Sequence, residues 1–134
     1  MPQTSILEKL NLEPKSSFHV LDLKKAKRMN AGTLYIPSPE DVAKAIRAIP
    51  SGTTRTITEL RQDLANMGNA DTACPAKTIK YWKWLASAQD ELEDTDSKYV
   101  IPWWRVLKDG KPSRHMPGGV EHQIARLQAE GVEI

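Results

Sequence analysis

Three helix patterns stand in succession in the middle of the chain, each bounded by residues that start or stop helices, and this succession limits the fold more than any other feature. Val42, Ala45, Ile46 and Ile49 recur at i, i+3, i+4 and i+7, with Glu40 and Asp41 in the first turn, where the helix dipole favours acids. Pro50-Ser51-Gly52 ends that pattern. A second helix is predicted from about Thr58, taken as its N-cap, to Met67, with Leu60, Leu64 and Met67 on one stripe and Gly68-Asn69 as the stop. A third begins at Pro75, because proline loses nothing at the first helical position. Ile79, Trp82 and Ala86 line one side of it, while Lys77, Lys80 and Lys83 recur every third residue. A helix, a short connection and a basic helix make a helix-turn-helix pattern.

The flanks are less periodic. Residues 1–39 read as an irregular N-terminal extension, with Leu7, Leu10 and Leu12 suited to a short helix and Thr33 to Ile36 to a strand. Pro37 and Pro39 close it, and a domain follows over 40–134. Residues 90–98 read as an acidic surface loop carrying Asp90, Glu91, Glu93, Asp94 and Asp96. Tyr99 to Leu107 is strand-like until Pro102 interrupts it, and Asp109-Gly110 and Pro117-Gly118-Gly119 are turns. Val120, Ile124 and Leu127 define a last helix that ends at Gly131. No internal repeat or low-complexity tract is present.

Composition narrows the function classes. At 134 residues the chain has the length of one ordinary domain and can sustain a core without staples. Cys74 is the single cysteine, so no disulfide forms within the chain, and His19, His115 and His122 have no metal-ligand spacing with it. Neither a metal nor a cofactor is expected. No apolar stretch approaches a membrane span, and the residues from Met1 to Lys9 lack a basic and an apolar leader region, which predicts a soluble, cytoplasmic protein. The net charge of +2 is small, but its distribution is uneven. Cations gather at Lys24, Lys25, Lys27 and Arg28, at Lys77, Lys80 and Lys83, and at Arg105, Lys108, Lys111 and Arg114, with acids collected elsewhere. That pattern points to one face that meets phosphate.

The order of motifs resembles the alkylguanine-DNA alkyltransferase family. Its members carry an Ile-Pro-x-Gly step, a first helix and a recognition helix. An Ile-Pro-Cys-His-Arg-Val strand, a Gly-Gly turn and a closing helix ending in Glu-Gly follow. Here stand Ile49-Pro50-Ser51-Gly52, the Thr58 helix, the Pro75 helix, Ile101-Pro102-Trp103-Trp104-Arg105-Val106, Gly118-Gly119 and Glu130-Gly131-Val132. The resemblance spans roughly residues 40–134 and implies a mainly α domain with a small β wing, a winged helix-turn-helix that binds double-stranded DNA.

The departures carry the functional reading. Where the family has its alkyl-accepting cysteine and the neighbouring histidine, this chain has Trp103 and Trp104. Indole has no ionisable nucleophile at neutral pH. The alkyltransferase-like branch of the family also has tryptophan at the cysteine position, which implies binding of alkylated guanine without repair, by a monomer that marks the lesion for nucleotide excision repair proteins. The resemblance puts Trp103, Trp104, Arg105, Gly118 and Gly119 around the base pocket, with Trp103 the ring that meets an extruded base. Adjacent residues on a strand face opposite sides, which makes Trp104 the core member of the pair. It puts Thr56, Ile57, Lys77, Thr78, Lys80 and Lys83 at the DNA interface. Lys77 stands where the family has an intruding arginine, and lysine lacks the flat guanidinium that stacks on bases. Ile57 stands in place of a tyrosine that turns a phosphate. Two alternatives follow: a winged-helix DNA-binding module without lesion preference, or residual alkyl transfer to Cys74, which sits at a predicted helix N-terminus.

Overall fold

The computed structural model describes residues 6–92 and 97–134. The expected helices at the centre are present. Helix α3 (Pro39–Arg47) begins in a capping box in which Ser38 and Asp41 satisfy each other's backbone N–H groups. Helix α4 (Ile57–Met67) follows a short strand, β3 (Arg55–Thr56). Its N-cap is Thr56, not Thr58 as expected, because Glu59 three residues on completes a second capping box. Helix α5 (Pro75–Leu92) starts at the proline, directly after strand β4 (Thr72–Ala73). It runs through Asp90 and Glu91, so these two belong to a helix and not to the acidic loop expected there. Glu93, Asp94 and Asp96 of that loop lie outside the described residues.

The N-terminal stretch is regular, contrary to expectation. Helix α1 (Ile6–Leu12) and strand β2 (Thr33–Ile36) occur where the sequence suggests them. Between them lie strand β1 (Ser17–Val20) and helix α2 (Leu23–Met29). Neither has an apolar face to betray it: α2 buries no residue, and three of the four residues of β1 are exposed. β1 pairs antiparallel with β2, and β2 pairs parallel with β4. The Asp71 carboxylate fastens this sheet by accepting from the N–H groups of Gly32 (2.9 Å) and Thr33 (3.1 Å).

The expected strand from Tyr99 to Leu107 is mostly something else. Gln89 of α5 donates to Tyr99 O at 2.8 Å and accepts from Ile101 N at 3.2 Å, drawing the segment across the helix. Trp103–Arg105 then form one turn of 3-10 helix, and only strand β5 (Val106–Leu107) is extended, parallel to β3. Lys108 and Lys111 exchange two backbone hydrogen bonds of 3.0 Å around Asp109 and Gly110. Both central residues have positive φ (53° and 74°), as a tight two-residue turn requires. Helix α6 (Gly119–Ala129) closes the chain and buries Gln123 and Leu127.

The result is a mixed α/β domain with, among the described residues, six α-helices and two small sheets. Its core joins Leu10 of α1, Val42 and Ile46 of α3, Leu60 and Leu64 of α4, Tyr81, Trp82 and Leu85 of α5, and Val106. No described helix is long and apolar enough to cross a membrane.

Candidate nucleic-acid interface

The 3-10 turn brings the tryptophan pair together in an unexpected way. On a strand, Trp103 and Trp104 would face opposite sides; on this turn they meet edge to face, with ring centroids 6.0 Å apart. Trp103 is the buried member, 3% exposed, with its carbonyl accepting from Trp82 Nε1 at 3.1 Å and its ring 5.8 Å from that of His122. Trp104 is only half-buried, beside the guanidinium of Arg126 at 4.7 Å from its ring centroid. The expected assignment, with Trp104 in the core and Trp103 facing a base, is therefore reversed in burial.

Arg105 departs from expectation as well. Its Nε donates to Glu130 Oε1 at 2.9 Å and a terminal nitrogen donates to Ile49 O at 2.7 Å. The guanidinium holds the Glu130 carboxyl far below its usual value, at about 2. It is a tie between the end of α3 and the end of α6. Gly118 and Gly119 enter α6 with φ of 78° and 74°. A Cβ on Gly118 would come within 2.4 Å of His122 Nδ1, which itself donates to Pro117 O at 2.9 Å, so the glycine pair shapes the turn beside the Trp103 ring.

Of the residues expected at the DNA face, two are placed in the interior. Ile57 is 8% exposed, packed in the core as an aliphatic residue at the start of α4 can be. Thr78 is fully buried and donates to Cys74 O at 2.7 Å, closing the first turn of α5. Thr56 spends its hydroxyl on the Glu59 N–H. The three lysines of α5 remain half-exposed, but Lys80 and Lys77 share the carboxylate of Glu13, at 2.6 Å and 3.8 Å. Cys74 is half-buried at the head of α5, with its N–H bound to Tyr35 O. Trp82, against which Trp103 rests, lies seven positions along α5 from Pro75, a rise of roughly 10 Å.

Two residues that matter here were missed. Gln123 is fully buried, and its amide donates to Trp104 O (3.0 Å) and Val106 O (2.8 Å) while accepting from Ser113 N (2.9 Å). It thus holds the tryptophan turn against α6. A signal existed, since Gln123 lies one turn before Leu127 on the apolar stripe. Glu13 had none: its lysine partners are far along the chain. Among the described residues no group of three His, Cys, Asp or Glu side chains is placed to hold a metal.

Comparison with known proteins adds the following. The family model for the 6-O-methylguanine DNA methyltransferase DNA-binding domain matches residues 37–132. The chain is similar to Myrosinase 1 of Arabidopsis thaliana, 37% identical over 59 residues, which are 43% of this chain and 10% of that protein. The chain thus spans about a tenth of that relative's length. No solved structure matches it.

Proposed function

Because the chain belongs to the family of the 6-O-methylguanine DNA methyltransferase DNA-binding domain, we propose that it binds double-stranded DNA as a winged helix-turn-helix, recognises alkylated guanine and leaves the base chemically unchanged. In this reading α4 and α5 are the helix-turn-helix, α5 enters the groove, and the turn between Lys108 and Lys111 is the wing. The bound lesion is handed to nucleotide excision repair proteins, which supply the chemistry that this chain lacks.

One observation carries the non-enzymatic part. The position of the alkyl-accepting cysteine is held by Trp103, whose indole fills its place in the core and offers no thiolate. Transfer to Cys74 is the enzymatic alternative, and the placement of that thiol at the head of α5, away from the tryptophan turn, speaks against it. The test is incubation with a duplex carrying a labelled alkyl group on guanine. No label is expected on the protein; stoichiometric label that disappears in Cys74→Ser would overturn the proposal.

The burial of Trp103 and Ile57 favours a second reading, DNA binding without lesion preference. A base entering the tryptophan turn has to displace packed rings, and the half-exposed Trp104 is then the ring placed to meet it. Paired duplexes that differ in one alkyl group separate the two readings.

A further inference from the structure

In the reading above, α5 meets the duplex with its lysines, yet in the folded chain two of the three ammonium groups are already engaged. Glu13, just past α1, sets one carboxylate oxygen 2.6 Å from Lys80 Nζ and 3.8 Å from Lys77 Nζ. Leu10, 1% exposed, anchors α1 on α5 and so holds Glu13 over this face. The floor is aromatic: Lys80 Nζ lies 4.4 Å from the Trp84 ring centroid, and Lys77 Nζ lies 5.6 Å from that of Tyr81. Tyr81 is fully buried, and burial together with the charge of Glu13 pushes its hydroxyl up to about 12. The ion pair with Lys80 holds the Glu13 carboxyl below its ordinary value. Two ammonium groups on one helix, over two rings, around a single anionic oxygen make an anion site whose occupant belongs to the chain itself.

We propose that Lys77 and Lys80 form a phosphodiester-binding site on α5 and that the Glu13 carboxylate occupies it in the free protein, competing with the DNA backbone. The inference rests on the DNA-binding reading above. A phosphodiester and a carboxylate each carry one negative charge and accept from the same ammonium donors. Their mutual repulsion disfavours both sitting on the same nitrogens. The lysine side chains are 31% and 37% exposed, open enough for a phosphate to reach once Glu13 withdraws. Apparent affinity for DNA is then reduced by the fraction of molecules in which Glu13 is withdrawn. Lys83, one turn on, makes no ion pair among the described residues and stays open throughout.

The test is affinity of the full chain for an unmodified duplex across a salt series, in wild type, Glu13→Gln and Glu40→Gln. Glu40→Gln removes the same charge from a site paired with Lys98 instead. Glu13→Gln is expected to bind about five-fold tighter, with a salt slope steeper by about one unit, because a freed lysine now releases a counterion. Glu40→Gln should stay within about two-fold of wild type, the effect of a remote surface charge screened by salt. Lys80→Ala should matter little in wild type and abolish the gain in Glu13→Gln. Equal affinity of Glu13→Gln and wild type, or an equal loss from Lys80→Ala in both backgrounds, overturns the competition while leaving DNA binding intact. If no variant holds the duplex, the DNA reading fails and the site with it. A measurement without mutation guards against a variant that fails to fold: the carboxyl resonance of Glu13 should shift to a higher titration midpoint when duplex is added, and an unchanged midpoint contradicts the proposal.

Discussion

Arg105 joins three separated parts of the chain through one guanidinium: its own turn, Ile49 at the end of α3, and Glu130 after α6. Both partners of the ion pair are about 85% shielded from solvent, so removing one strands the other. Glu130→Gln is therefore expected to cost on the order of 3 kcal/mol at neutral pH, measured by urea unfolding. The pH dependence has a definite sign. The Glu130 carboxyl is lowered from 4.5 to about 2 in the folded chain, so its contribution is complete above pH 4.5 and lost as pH falls through 2. Wild type should lose stability over that window and Glu130→Gln should lose less; parallel acid profiles would show that the pair does not hold the fold. Trp103→Ala makes a second test at this scale. A core ring cut to alanine costs about 3–5 kcal/mol, so a large drop in unfolding free energy is expected. A mutant as stable as wild type would mean that Trp103 faces open space after all.

At the scale of elements, the start of α4 gives a clean comparison of two threonines. Thr56 caps the helix, whereas Thr58 is an exposed residue of its first turn. Thr56→Ala should cost about 1 kcal/mol and Thr58→Ala less than about 0.5 kcal/mol. The reverse order would move the helix start back to where the apolar stripe alone placed it. Helices with a buried stripe, α3 to α6, were legible because burial imposes a 3.6-residue period that the sequence must show. Turn chemistry was legible too, in Asp109-Gly110 and in Pro75. β1 and α2 were not, since elements with exposed faces need no period. The segment before Trp103 was apolar for a reason other than pairing: it packs across α5 under the grip of Gln89. The same limit governs the interface. Motif order placed Trp103, Ile57 and Thr78 near a site, but side-chain direction comes from tertiary packing, which put all three inside. The ion pairs of Glu13 join residues too far apart for any local pattern to reveal.

For the whole molecule, the N-terminal stretch is fastened at two places, by α1 on α5 and by β2 beside β4. It therefore bears on any surface that α5 offers to a partner. The free cations of α2, Lys24, Lys25, Lys27 and Arg28, make no ion pair among the described residues and add to the positive field of the molecule. In the proposed reading, recognition of a lesion comes from the surroundings of the tryptophan turn, since phosphate contacts are blind to the base. The most direct measurement is thus the affinity of the full chain for two otherwise identical duplexes, one with guanine and one with alkylated guanine at a single position, under the same salt. A lesion-binding protein of this family should prefer the alkylated duplex by about five-fold or more, the range set by one stacking contact of about 1–3 kcal/mol. A ratio near one would contradict lesion recognition and leave a DNA-binding domain that does not read the alkyl group.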